Sequence, residues 1–402
     1  MRSLIFLYTA AALALSLQAQ VRSIDPPAAE ESGMPFLASG AKGEVYLAWT
    51  DILPGKKHAL RYARWTGSTW TAPETIVSGA NWFVNWADFP SLAVLPDGGM
   101  LAHWLTRNET GGKYGYGIRI ARRDARSGQW REIHGMSLDE PEDYAGFLTF
   151  VPNTASAIYL APPAGQGHGG HGGEHGHRKT VRFLSLTGGG KVASDKELDG
   201  DACSCCQTAV AKTESGFVAA YRDHLPGEIR DISVVRYAGG EWSQPKTLHR
   251  DGWKINGCPT EGPAMSSSGR NVAIAWLTRA QDSAKIQVAL SKDDGASFGA
   301  PLRLDGGNAG GRPAIAAYGD GYLAVWLEKT SGTEGQIRAR RVGFDGRLYP
   351  AFEVAKAPTG RATGFPKVAV TGEQVLVAWR AGKIRAALLT RQDIGQREKE
   401  QQ

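Results

Sequence analysis

Val272-Ala273-Ile274-Ala275-Trp276 is a short apolar run closed by an aromatic residue, and runs of this kind recur along the whole chain. Earlier copies are Val45-Tyr46-Leu47-Ala48-Trp49, Met100 to Trp104 and Phe217 to Tyr221; later ones are Tyr322 to Trp326 and Val375 to Trp379. A weaker copy, Ile158-Tyr159-Leu160-Ala161-Pro162, fills the one gap. The closing positions, 49, 104, 162, 221, 276, 326 and 379, are spaced by 50 to 59 residues. A period of this length reads as one supersecondary unit used many times.

Each copy sits in the same setting. A strand often opened by Pro precedes it, as in Phe89-Pro90-Ser91-Leu92 and Arg312-Pro313-Ala314-Ile315. A strand rich in Arg and aliphatics follows, such as Ile118 to Arg122 or Ile337 to Arg341, and a turn leads to a fourth, as in Gly240 to Leu248. Four short strands per unit predict an all-β fold, a single β-propeller. Seven blades are expected, with six as the fallback if the weak third unit is irregular. The last unit ends after its third strand, Ile384 to Leu389, and Val21 to Asp25 stands where a missing fourth strand would. That N-terminal strand is expected to close the ring and leave no open sheet edge.

Composition agrees with this reading and narrows the functions. Among 402 residues are 51 Gly, 12 Trp and 12 Tyr, which suit many short strands and tight turns rather than the two or three domains of the length prior. Residues 1–19 read as a signal peptide: Arg2, then an uncharged run from Leu4 to Leu17, then a small residue at Ala19. The run is short for a membrane span, so the mature protein is expected to be secreted or periplasmic. The propeller is assigned to 20–391 and a disordered polar tail to 392–402. The formal charge of +6 is small and scattered, which argues against nucleic acid as a partner. A monomer without a membrane span is expected.

One turn reads Ser291-Lys292-Asp293-Asp294-Gly295-Ala296-Ser297-Phe298, and decayed versions occur at Asp124 to Trp130 and Tyr237 to Trp242. The first matches the Asp-box pattern, and through it the chain resembles the sialidase-like propeller superfamily. In that superfamily the Asp boxes lie away from the active face. Three arginines there hold a substrate carboxylate, beside a Tyr–Glu nucleophile pair and an Asp acid/base. The resemblance implies Arg222, Arg312 and Arg361 as an arginine cluster, and Tyr221 with Glu228 or Glu261 as the pair. The Arg-Ile-Pro segment of the first blade is absent, with Leu60-Arg61-Tyr62 standing there. The same residues also read as ordinary loop salt bridges.

The cysteines fall into two clusters, Cys203-Ser204-Cys205-Cys206 and Cys258. In the repeat register each enters the first strand of a blade, the fourth and the fifth, so the two are expected to be neighbours around the axis at one face. Asp223, Glu228, Arg230 and Asp231 occupy a loop opening on the same face. The combination resembles other exported propellers that pair a Cys-x-Cys-Cys cluster with an Arg-Asp segment. Three readings stand. Two disulfides suit an oxidising compartment and would leave a partner-binding scaffold. A thiolate metal site suits Cu(I), or Zn²⁺ in tetrahedral geometry. A reactive thiol would be activated by Arg222 and Arg230.

Three further segments are candidates. His168, His171, His175 and His177 sit in a Gly-rich loop that collects soft or divalent ions loosely, or is a solvated linker. Trp82, Phe83 and Trp86 read as a platform for a sugar or peptide, or as a plug of the central channel. Asp139, Glu140, Glu142 and Asp143 read as a hard-cation site, a hydrolytic carboxylate pair or an exposed turn. The leading expectation is an axial thiolate metal site, copper foremost, with the histidine loop as auxiliary. A sialidase-like glycoside hydrolase acting on glycans comes second and a disulfide-bonded scaffold third.

Overall fold

A computed structural model describes residues 21–108, 115–136, 144–163 and 178–400. Seven antiparallel sheets follow one another along the chain, six built from consecutive strands and the last completed by a strand from the N-terminus. The first blade is Ser32–Ser39, Val45–Leu53, Lys57–Arg64 and Glu74–Gly79. The repeated apolar runs form the second strand of every blade, from Val45–Leu53 to Gln374–Ala381. The third blade, built on Ser156–Ala161, is regular, so seven blades stand.

The ring closes as expected. Arg22–Ser23 pairs antiparallel with Lys383–Thr390, Arg22 opposite Leu388 and Ser23 opposite Ala387. Asp25 secures the junction by accepting from the Ala386 amide at 3.1 Å and from Arg385 at 2.6 Å. The seam thus joins residues more than 350 apart and completes the last blade to four strands like its neighbours.

The core is a ring of wedges. Each of seven buried clusters lies between two neighbouring blades. Side chains alternate across a strand, so a second strand feeds both of its neighbours. Tyr322, Ala324 and Trp326 pack toward the fifth blade, whereas Leu323, Val325 and Leu327 pack toward the seventh. This double burial is why these runs are continuously apolar instead of alternating.

The Asp-box turn does what its residues predict. Asp293 accepts from Ser297 N at 2.9 Å and Ser297 Oγ at 2.6 Å, and from Ser291 Oγ at 2.7 Å. Those donors hold its carboxyl down at about 2. Gly295 takes φ +75°, and a Cβ there would meet Val218 of the fourth blade at 2.4 Å. The turn thereby locks two blades together.

The polar tail is corrected by the structure: Arg391–Glu400 is a helix, not a disordered segment. Thr390 and Asp393 cap its start reciprocally, the Asp393 amide donating to Thr390 Oγ1 and the Thr390 amide to Asp393 Oδ2. Ile394 is buried against the sixth and seventh blades, and Glu398 forms a bidentate pair with Arg341 at 3.0 Å on each arm. Two anchors suffice to order a segment whose composition looks solvated. Among the described residues no helix is long and apolar enough to cross a membrane.

Candidate metal centre on the axial face

Four segments build the centre. Val192–Cys203 is the last strand of the third blade, and the turn after it carries Cys205 and Cys206 into Ala209–Lys212. The loop from Asp223 to Asp231 follows the second strand of the fourth blade, and the loop holding Cys258 leads to the fifth. Polar groups stitch these loops together. Asp231 accepts from the Gly252 and Trp253 amides at 2.9 and 3.0 Å, and Arg230 N donates to Trp253 O at 2.8 Å. Asp223 accepts from Ser233 Oγ and from the His224 amide, and burial beside Asp199 and Asp201 pushes it up to about 6. His224 bridges Asp201 at 2.8 Å and Glu228 at 3.3 Å.

The sulfurs of Cys203, Cys205 and Cys206 all lie within 4.8 Å of one another. Cys203 Sγ is 3.7 Å from Cys205 Sγ and 3.5 Å from Cys206 Sγ. Tetrahedral thiolates with bonds of about 2.3 Å would stand about 3.8 Å apart, so the spacing fits a shared ion. It is far longer than a disulfide of about 2.05 Å, and all four cysteines are free. Cys258 lies outside this group of three, on the neighbouring loop beside Cys205, 52 residues beyond Cys206 in the sequence. Hydrogen bonds from Cys205 and Cys206, with Arg222 nearby, hold the Cys203 thiol well below its ordinary range, whereas burial pushes Cys206 up.

Positive charge surrounds the sulfurs. Arg222 is fully buried and donates to three carbonyls: Glu261 at 2.7 Å, Arg230 at 2.5 Å and Leu277 at 2.7 Å. Its guanidinium lies 4.6 Å above the Trp253 ring. Arg230, also buried, donates to Glu228 at 2.6 Å, while its Nε and Nη1 find no hydrogen-bond partner among the described residues. Burying a guanidinium is costly without a nearby anion, and Glu228 supplies one to Arg230.

Several residues of the site had little signal in the sequence. Tyr144 donates its hydroxyl to the Ser204 carbonyl, stacks on Tyr116 at 4.7 Å, and carries Lys179 Nζ 3.9 Å above its ring. Gln207 ties three blades, donating to Ala87 O at 2.6 Å and accepting from Gly262 N at 2.8 Å. A Cβ on Gly262 would sit 2.0 Å from the Gln207 carbonyl, so only glycine permits this approach. An unremarkable Gly-Pro dipeptide therefore sets how closely the Cys258 loop approaches the cysteine turn.

The residues implied by the sialidase resemblance are only partly brought together. Tyr221 and Arg222 are consecutive in a strand and face opposite blades. Tyr221 donates to Asp199, away from Glu261. The hydrogen bond from Arg222 to Glu261 goes to its backbone carbonyl, and each of the three guanidinium nitrogens already donates to a carbonyl. Arg312 donates to the carbonyls of Gly360 and Arg361 at 3.0 and 2.9 Å and stacks 4.3 Å above Phe365. Arg361 is exposed and lies 5.3 Å above the Trp86 ring. Trp82 is buried between the first two blades and stacks on His58 at 5.8 Å, so it offers no platform. The histidines at 168, 171, 175 and 177 and the acids at 139, 140, 142 and 143 lie outside the described residues.

An axial cavity of about 270 Å³ adjoins the centre, lined in part by Asp88, Gln207, Glu261, Arg312 and Lys367. Glu261 accepts from the Arg312 amide at 2.8 Å, and burial pushes its carboxyl up. Desolvation lowers Lys367 to about 8. Asp88 accepts from Phe147 N at 2.9 Å and Tyr116 Oη at 3.1 Å, yet burial outweighs both and pushes it up to about 7 from 3.8. Between those values the unfolded chain ionises Asp88 while the folded one keeps it protonated, so its contribution makes stability fall as pH rises. Asp88→Asn is expected to remove that slope and to raise stability at pH 8. Denaturant midpoints of both proteins between pH 4 and 8 check it; parallel curves would refute the assignment.

Seven four-stranded blades closed by an N-terminal strand define a β-propeller, and the solved structures agree in fold. The chain is similar to a protein of unknown function from Dyadobacter fermentans DSM 18053, with a TM-score of 0.53 and 15% identity over 92% of this chain and 99% of that one. It is similar to the α-L-arabinofuranosidase Arb93A of Fusarium graminearum, with a TM-score of 0.51 and 11% identity over 93% and 98%. The NanB sialidase of Streptococcus pneumoniae matches at 0.46 and 11% identity over 91% and 69%. No family model matches the sequence, and no curated protein matches it. At these identities the likeness establishes the fold and assigns no reaction.

Proposed function

We propose that the protein is an exported binding protein for a soft metal ion, copper foremost and zinc second, held by Cys203, Cys205 and Cys206, with Cys258 beside them at the surface. The observation that carries this is the group of three sulfurs within 4.8 Å at spacings of 3.5 and 3.7 Å. A donor set of thiolates alone favours Cu(I) over harder ions, whose sites use imidazole and carboxylate oxygen. Three thiolates and one Cu(I) carry a charge of about −2, which the buried Arg222 and Arg230 offset. The chain's own work is to hold the sulfurs at ligand spacing and to keep them from pairing. The histidine loop, with His168, His171, His175 and His177, serves in this reading as an auxiliary collector of the ion.

Protein purified from the periplasm without a His-tag should carry about one copper or zinc per chain. A Cys205→Ser/Cys206→Ser variant should carry none while keeping its fold by circular dichroism. Metal-free protein that shows no titratable thiol before reduction would sink the proposal in favour of disulfides.

A glycan-directed hydrolase is the second reading, supported by Asp88 and Glu261, two carboxyls with raised pKa in the axial cavity. The commitment of Arg222 to backbone carbonyls counts against a sialidase clamp. Turnover of a fluorogenic glycoside that is lost in Glu261→Gln would favour this reading; turnover unchanged in that variant would not.

A further inference from the structure

The four sulfurs are unequally exposed. Cys203 and Cys206 are buried, at 3% and 2% of their surface, Cys205 is half-buried, and Cys258 is exposed. Their supports differ in the same order. Cys203 ends a paired strand, opposite Arg178, and the turn after it is tied down by the Tyr144 hydroxyl on Ser204 O and by Gln207. Cys258 sits midway along a loop tied to its neighbours at Ile255 and again at Glu261 and Gly262, and the Cβ side of the adjacent Gly257 meets nothing within 4 Å. Three sulfurs thus form a base, and the fourth stands at the solvent edge beside Cys205 and outside that group.

We infer that Cys258 is a relay ligand, the surface sulfur through which a soft ion passes between the buried Cys203–Cys205–Cys206 base and a thiol-bearing partner. This rests on the metal-binding reading above. The fixed base sets retention, because two of its three sulfurs, those of Cys203 and Cys206, are buried out of reach of a second protein. The exposed sulfur sets transfer, because only there can an incoming thiol reach the ion while Cys205 still holds it. Each step forms one metal–sulfur bond and breaks one. The bond to Cys258 forms as a bond to a buried cysteine breaks, and the partner's sulfur then replaces a second protein sulfur. The proton shed by each incoming thiol goes to the sulfur released, and the ion keeps its oxidation state. The class of partner follows from this chemistry: a protein or peptide that presents a cysteine thiol and itself carries Cu(I).

The test loads the mature wild-type chain, Cys258→Ser and Cys206→Ser with one equivalent of Cu(I) without oxygen. Retention on desalting is measured, then transfer to bathocuproine disulfonate with and without glutathione as the thiol partner. Wild type should retain the ion and release it faster with glutathione. Cys258→Ser should retain it but release it to glutathione about tenfold more slowly or worse. Retention should fail in Cys206→Ser. Wild-type or faster release from Cys258→Ser would overturn the relay and leave the metal site standing, as would loss of the ion from that variant. Failure of wild type itself to retain Cu(I) would instead overturn the metal-binding reading, and the relay with it.

Discussion

Arg222→Ala should lower the stability of the protein by on the order of 3–5 kcal/mol, because it strands several buried acceptors at once. The guanidinium meets three carbonyls from three segments, the loop entering the fifth blade, the loop at Arg230, and the second strand of the fifth blade. Each buried carbonyl left without a donor costs about 1–3 kcal/mol, and the contact with Trp253 goes as well. Lys at this position has one ammonium in place of a planar fork and should recover less than half of the loss. Arg361→Ala is the internal control: Arg361 is exposed, and its removal should stay within about 0.5 kcal/mol. Guanidinium unfolding of the three variants measures this. A midpoint for Arg222→Ala equal to that of Arg361→Ala would show that the fork has no structural role.

Trp326→Ala should cost a comparable amount, about 3–5 kcal/mol, the usual price of removing a large aromatic from a core. Trp326 is fully buried in the wedge between the fifth and sixth blades, and its indole N–H is held by Glu328. The same arrangement recurs at Trp49, whose N–H donates to Asp51 at 2.8 Å, and at Trp276, which donates to Asp251 at 2.7 Å. At Trp379 the indole nitrogen has no partner among the described residues. Trp326→Phe should therefore be worse than Trp379→Phe by about 1–2 kcal/mol, since only the first strands a carboxylate oxygen. Thermal unfolding of the paired variants reads the difference. Equal losses would mean that packing alone, without the carboxylate, accounts for these tryptophans.

The fold was legible because its signals are local and repeated. Alternation places each side chain of Val272 to Trp276 toward one or the other neighbouring blade, so burial on both sides writes itself into five consecutive residues. Turn chemistry is equally local: Ser291, Asp293 and Gly295 satisfy one another within a few residues. The C-terminal helix was also written locally, in the reciprocal cap of Thr390 and Asp393, but its eight polar residues out of ten hid it. Its stability comes from Ile394 and from Arg341, which lies 57 residues away from Glu398.

The site divides along the same line. That the loop of Cys258 neighbours the turn of Cys203, Cys205 and Cys206 followed from blade register, because successive blades present successive loops around one axis. The roles of the charged residues did not. Arg222 looked like a ligand for a carboxylate, and only the fifth blade's carbonyls, 39 and 55 residues distant, turn it into a strut. Tyr221, its neighbour in sequence, faces another blade altogether. The sequence by itself determined the repeat, its closure and the convergence of the cysteines, since periodicity and turn geometry are properties of short segments. Which donor meets which acceptor was decided by the tertiary structure, because each such pair joins blades that are neighbours in space and not in sequence.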